Sequence, residues 1–306
     1  MQLLSYRSQD RQPRIGIHFD GQVYDLQIEA DRLGLSIPAD MTELLAAGPV
    51  AAESLRAIGR GLPESTPQLG PLGGLELLPP VARPGKILAL ASNYVDHIIE
   101  GGGTPEPTDG RTPYVFCKLP STLIGPDEPI RLPSVSATID WELELAIVIG
   151  SRARRVSHAD ALDVVAGYLI FNDLSARDMT FPQRRYTGPN SEWFDWLNGK
   201  WCDTFAAAGP FLVSADAIPD PHDLRIRLTL NDEVWQDSST SKMIFKIPEI
   251  IEFISSWCTL EPGDIITTGT PAGVGYSKQR YLKPGDVLQG TIEGLGTLTN
   301  PVIAAD

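Results

Sequence analysis

Apolar and polar positions alternate most informatively between Asp140 and Gly150. Asp140, Glu142 and Glu144 recur every second residue in a run that continues into Leu145, Ile147, Val148 and Ile149. This predicts one strand with three carboxylates on one face and Trp141, Leu143 and Leu145 on the other. A second apolar run, residues 167–171, predicts a strand ending at Asn172-Asp173. Residues 86–92 read as a buried strand, 14–26 as a hairpin turning at Asp20-Gly21, and 41–58 as a helical stretch ending at Gly59. Further on, 224–230 alternates as a strand turned by Asn231-Asp232, and 247–256 has the period of an amphipathic helix. Residues 261–264 and 283–286, both with a Pro-Gly-Asp ending, are tight turns. Pro63, Pro67, Pro71, Pro79, Pro80 and Pro84 crowd a breaker-rich segment, which reads as a linker. The expected organisation is a small N-terminal unit with linker over residues 1–78 and a main domain over 79–306.

Composition narrows the partners more than the fold. A chain of 306 residues, 42% hydrophobic, supports a substantial core, and no apolar run approaches the roughly 18 residues needed to span a bilayer. The formal charge of −14 argues against nucleic acid, which requires a basic face. Cys117, Cys202 and Cys258 are odd in number and far apart, which suits buried thiols rather than disulfides or a structural zinc. A cytoplasmic location is the default expectation.

The candidate chemistry is a metal site. Residues two apart on a strand lie about 6.6 Å apart along its axis, so Glu142 and Glu144 can converge on one cation, with Asp173 as a third carboxylate at the end of the next strand. An acidic pair on a strand is otherwise simply its wet face, but here the surroundings are strongly apolar. A site of carboxylates without thiolates or imidazoles suits Mg(II) or Mn(II), with Ca(II) as a substitute. His97 and Glu100 are three apart, so on a helix the carboxylate can orient the imidazole and raise its basicity. Residues 101–112, opening with three glycines and holding Asp109-Gly110, have the composition of a mobile lid. His18 reads as a packed or surface histidine, and His158 and His222 as surface residues.

Taken together, Asn93-Tyr-Val-Asp-His97-Ile-Ile-Glu100, Phe116-Cys-Lys118, the 140–150 run, Asn172-Asp173-Leu-Ser-Ala-Arg177-Asp178, Gly199-Lys200, Gly209-Pro210 and Thr268-Gly269-Thr270-Pro271-Ala-Gly-Val-Gly275 resemble the fumarylacetoacetate hydrolase family over nearly the whole chain. The resemblance implies an α+β fold: a β-rich roll of mixed sheets behind a small N-terminal α+β domain, usually in a homodimer. It implies Mg(II) or Mn(II) held by Glu142, Glu144 and Asp173, with His97, Glu100 and Lys200 as catalytic groups. Lys118, Arg177, Thr270 and Gly269 match positions that bind substrate. The implied activity is metal-dependent hydrolysis of a carbon–carbon bond in an acylpyruvate-type 2,4-dioxo acid, in catabolism of an aromatic compound or sugar acid. Decarboxylation of a 2-oxo acid, or ketonisation or isomerisation of a 2-hydroxydienoate, uses the same core, and a non-catalytic oxo-acid binder is the alternative of another class.

Two departures bear on the reaction. Where hydrolytic relatives commonly carry a glutamine this chain has Thr180, with Gln183 displaced. The segment between Arg177 and Lys200 is long, and its Arg184, Arg185, Tyr186, Trp193 and Trp196 either wall the pocket against a larger or dicarboxylic substrate or pack at a dimer interface.

Overall fold

All seven residues of Leu143–Ile149 are buried, so this is a central strand covered on both faces. In the computed structural model, which describes residues 1–107, 110–184 and 186–305, it pairs antiparallel with Val165–Asp173 on one side and Ile265–Thr267 on the other. The same mixed sheet continues outward through Ile87–Ala91, parallel to Ile265–Thr267, to Tyr114–Lys118. In the other direction Val165–Asp173 pairs with Ala206–Ser214.

The two faces of the central strand feed different cores. Leu143, Leu145 and Ile147 pack with Ile226, Leu228, Leu288 and Leu298 of a second, five-stranded sheet. Ala146 and Val148 pack with Leu26, Met41, Leu44 and Ile58 from the N-terminal helices. Uninterrupted hydrophobicity after Glu144 follows from this double burial. Glu144 shares the face of Ala146 and Val148, at the end of the strand.

The N-terminal segment is hydrogen bonded into the main sheet. Gln2–Arg7 pairs with Ala206–Ser214, with the hairpin strand Pro13–Phe19, and with Glu76–Leu78 beyond the Pro-rich segment. The hairpin turns at Asp20 and Gly21, both at positive φ. The helical stretch is two helices, Met41–Ala46 and Gly48–Gly61, because Gly48, the first residue of the second, takes φ +60°. Arg225–Leu230 turns through Asn231 and Asp232 into Glu233–Ser239, and Ile247–Trp257 forms the amphipathic helix. The two Pro-Gly-Asp turns close alike: Asp264 accepts from the N–H of Glu261 and Asp286 from that of Lys283.

Three expectations need correction. The strand predicted from Asp140 is broken at Trp141-Glu142, since Ile139–Asp140 pairs instead with Ser175–Ala176. Cys117 is exposed rather than buried, and all three cysteines are free. His222 is half-buried, its Nε2 accepting from the N–H of Ile247 at the start of a helix. Among the described residues no helix is long and apolar enough to cross a membrane.

Candidate metal centre and active site

The break at Trp141-Glu142 lets the acidic residues separate. Asn172 Oδ1 accepts from the Glu142 N–H at 3.0 Å, the Asp173 N–H donates to the Glu142 carbonyl at 2.8 Å, and Gln236 Oε1 accepts from the Leu143 N–H. Those bonds turn Asp140 away from the other two acids. It accepts from the N–H groups of Gly275 and Tyr276 and pairs with Arg177, so it is not a member of the cluster. Glu142, Glu144 and Asp173 do meet, with one oxygen from each lying within 4.8 Å of the others, all three side chains being buried.

Charge around the cluster is arranged unevenly. Lys200 Nζ bridges Glu142 Oε2 (2.8 Å) and Asp173 Oδ2 (2.7 Å). Arg177 Nη2 lies 2.5 Å from Glu142 Oε1 and 2.8 Å from Asp140 Oδ2. Lys118 Nζ lies 2.6 Å from Asp173 Oδ1 and donates to the Leu174 carbonyl. Burial opposes ionisation of Glu142, but Lys200 and Arg177 outweigh it and hold this carboxyl well below the usual range. Glu144 goes the other way. Burial and the neighbouring charges of Asp173 and Glu142 push it well above the usual range. The lysines differ for the same reason: burial lowers Lys118, which has one close carboxylate, whereas two carboxylates overcome burial and raise Lys200.

The cluster fits a hard divalent cation. Its donors are all carboxylate oxygens. Glu144 Oε2 accepts from the Gly269 N–H at 2.7 Å, but Oε1 is buried without a hydrogen-bond partner, whereas Asp173 Oδ1 has the Lys118 ammonium at 2.6 Å. A buried anionic oxygen without a donor is costly unless a cation satisfies it.

His97 and Glu100 lie on the short helix Val95–Glu100, with His97 Nδ1 2.9 Å from Glu100 Oε1. Glu100 Oε2 accepts from the Gly273 N–H at 2.9 Å, so the carboxylate joins this helix to the turn after Thr270. His97, Glu142, Arg177, Lys200 and Thr270 all line one cavity of about 760 Å³. Lys118 does not line it, and the Thr270 hydroxyl is engaged by the scaffold: it donates to the Leu143 carbonyl and accepts from Gln236. The Gly269 N–H donates to Glu144.

The residues that hold these groups had no signal in the spacing. Asn93 crosslinks the carbonyls of Thr268 and Phe245, and Gln236 ties Thr270 and Pro271 to Leu143. Phe253 and Trp257, on the amphipathic helix Ile247–Trp257, line the cavity. Trp193 and Trp196 line it too, whereas Arg184 is bound to Asp195; Arg185 and Asp109 lie outside the described residues.

The family profile described as fumarylacetoacetate (FAA) hydrolase C-terminal matches residues 86–303, which contain every group named for the cluster and cavity. The chain belongs to the fumarylacetoacetate hydrolase family. Oxaloacetate tautomerase fahd2 of Xenopus laevis, a mitochondrial protein, is 38% identical over 308 residues, covering 99% of this chain and 90% of the relative. The structure of maleylpyruvate hydrolase from Sphingobium sp. SYK-6, in complex with manganese(II) and pyruvate, superposes with a TM-score of 0.77 at 31% identity, covering 100% of both chains. A 5-carboxymethyl-2-hydroxymuconate delta-isomerase from Mycobacterium smegmatis superposes with a TM-score of 0.71 at 32% identity, again over 100% of both. The mixed α+β architecture is thus that of the family, whose relatives include hydrolases, isomerases and tautomerases.

Proposed function

We propose that this protein is a divalent-metal-dependent enzyme that interconverts the enol and keto forms of a 2-oxo acid, oxaloacetate being the compound named for its sequence relatives. The observation that carries the reading is His97, held by Glu100, on the wall of the cavity that Glu142, Arg177 and Lys200 also line. Glu142, Glu144 and Asp173 would hold Mg(II) or Mn(II), with Ca(II) as a substitute. When bound, the ion supplies Lewis-acid stabilisation of the enolate charge. Glu100 occupies the Nδ1 side of His97, leaving Nε2 to take the proton from the enol oxygen and deliver one to C3. Lys200 and Arg177 counter the charge of the substrate. The reaction is an isomerisation, so no water has to be placed.

Carbon–carbon bond hydrolysis of an acylpyruvate is the second reading, favoured by the same His–Glu pair, which can equally activate a water. Against it, Thr180 is exposed, its N–H spent on the Val135 carbonyl, and Gln183 is exposed as well, so neither stands in for the oxyanion glutamine. Decarboxylation of the same oxo acid is a further variant. The test is loss of enol absorbance from enol-oxaloacetate, with Mn(II) or with chelator, beside pyruvate release from a panel of acylpyruvates. Acceleration that needs the metal and His97 supports tautomerisation; pyruvate release without enol loss transfers the assignment to hydrolysis. Binding without turnover of either would leave an oxo-acid binder. A homodimer is proposed as the assembly, to be checked by sedimentation.

A further inference from the structure

Arg111 is a buried cation without a matching anion. Its side chain is 7% exposed, and among the described residues neither Nε nor Nη1 makes a hydrogen bond. A guanidinium cannot shed its proton, so leaving one buried and unpaired is costly. Other arginines of the chain are matched: Arg177 is shared between Asp140 and Glu142, Arg184 is bound through two nitrogens to Asp195, and Arg280 meets both oxygens of Asp286.

What Arg111 has is one loose contact. Its Nε lies 3.5 Å from Glu106 Oε2, well beyond the span of about 2.7–2.9 Å for a charge-assisted hydrogen bond. Glu106 is 59% exposed, and the same oxygen accepts from the Tyr114 hydroxyl at 3.1 Å. The guanidinium lies 4.9 Å from the centroid of the Tyr114 ring and 5.8 Å from that of Phe245, and Tyr114 lines the cavity together with Pro113. Glu106 thus shows where a carboxylate can sit beside the cavity wall, and it is held weakly enough to be replaced.

The cavity lining offers no second place of that kind. Arg177 and Lys200 stand at the carboxylate cluster, where they meet the head of an oxo acid, and each is already shared between two acids. Away from them and His97 the lining includes Tyr114, Trp193, Trp196, Phe253 and Trp257, with Glu192 as an anion. A second carboxylate loses hydration against these rings and meets no cation among the described lining residues. Arg111, packed on one of the same rings, supplies it.

We infer that Arg111 determines specificity for a second carboxylate on the substrate, which displaces Glu106 and pairs with the guanidinium while the Tyr114 hydroxyl donates to it. The inference rests on the 2-oxo acid reading of the same cavity and assigns a residue to the end of the substrate remote from the metal cluster. Oxaloacetate, the compound named for the sequence relatives, carries such a group at C4. A guanidinium presents paired N–H groups that match a carboxylate, which an ammonium does not. Because Glu106 already holds the place, it competes with the ligand, and losing Arg111 or Glu106 has opposite effects on a diacid.

Calorimetry on the Mn(II)-loaded protein tests this with N-oxalylglycine and N-ethyloxamate, which share an oxamate head and end in a carboxylate or a methyl group. N-Oxalylglycine is expected to bind at least tenfold more tightly. In Arg111→Met the ratio should fall to threefold or less, through loss of N-oxalylglycine affinity alone. Glu106→Gln changes an exposed side chain and keeps an acceptor for Tyr114; it should tighten N-oxalylglycine threefold or more and leave N-ethyloxamate unchanged. Should Arg111→Met fail to fold, Arg111→Lys keeps the charge without the paired N–H groups and should cut the ratio at least threefold. A wild-type ratio near one, a ratio unchanged in the Arg111 variants, or weaker N-oxalylglycine binding in Glu106→Gln, the mark of a structural ion pair, overturns the inference. Binding of neither compound sinks the 2-oxo acid reading together with it, whereas tight and equal binding of both leaves that reading standing without Arg111.

Discussion

Glu100 accepts from the Gly273 N–H through Oε2 while its Oε1 lies 2.9 Å from His97 Nδ1, so one carboxylate both orients the imidazole and ties its helix to the turn after Thr270. Gly273 is suited to this place, since its φ of +109° and the Trp235 carbonyl against its Cα leave no room for a side chain. Glu100→Gln keeps an acceptor for Gly273 but replaces the anion beside His97 with an amide. Its kcat should fall by about 10²-fold, with KM changed by less than threefold and a thermal midpoint near that of the wild type. A kcat within threefold of wild type would remove the pair from the proton transfer.

Removing the metal should expose the strain in the cluster. At Mn(II) of 100 times Kd, a native-state ligand adds about 2.7 kcal/mol of stability, so the melting midpoint of the stripped protein should rise by several degrees. Glu144→Gln replaces a carboxyl whose ionisation is opposed by burial, Asp173 and Glu142: the metal-free variant should melt at or above the wild type, and Mn(II) should no longer raise it. A rise as large as in the wild type would mean that Glu144 is not a ligand.

Glu144 also makes metal uptake depend on pH. Its folded value lies above the unfolded one, so in the metal-free protein the folded state binds the extra proton. The contribution is present below the unfolded carboxylate range and is lost as pH rises through the folded value. Glu142, held low by Lys200 and Arg177, has the opposite sign and loses its contribution only as pH falls below the ordinary carboxylate range. A cation that needs Glu144 ionised displaces its proton. Mn(II) titrations in buffers of different ionisation enthalpy should show proton release, and affinity should rise with pH until Glu144 is ionised in the free protein. Affinity that falls over this range contradicts the assignment.

Arg177 serves two acids at once, Asp140 and Glu142. Arg177→Met takes the cation from Asp140, which keeps its backbone donors, and leaves Glu142 with Lys200, a loss of up to about 3–5 kcal/mol by analogy with broken buried pairs. Adding Asp140→Asn should recover part of it. Urea unfolding of the single and double variants measures both, and a single-variant loss under 1 kcal/mol would show the pair to be solvent-relaxed.

Much of this was legible in one dimension because strand periodicity and site chemistry coincide. Glu142 and Glu144 stand two apart next to an apolar run, and Asp173 ends the strand that pairs with it, so local spacing carried the carboxylate cluster. The i,i+3 spacing of His97 and Glu100 likewise became a contact as soon as a helix formed. Asp140 has the same parity as the two glutamates, yet the backbone turns at Trp141, where Asn172 and Gln236 capture the Glu142 and Leu143 N–H groups. Those partners lie 30 and 93 residues away in sequence.

What the sequence by itself determined is therefore the set of chemical groups and their local order: three carboxylates, an imidazole with its carboxylate, and a handful of cations. Only the tertiary structure decided how those cations are divided, with Lys118 facing one cluster carboxylate, Lys200 two, and Arg177 shared with an acid outside the cluster. It also decided that Gly269 serves Glu144, and that the tryptophans of residues 193–196 and 257 share one cavity. The physical reason is that a side chain's charge state and partners are set by burial and by neighbours brought together from distant strands, and neither is a property of spacing along the chain.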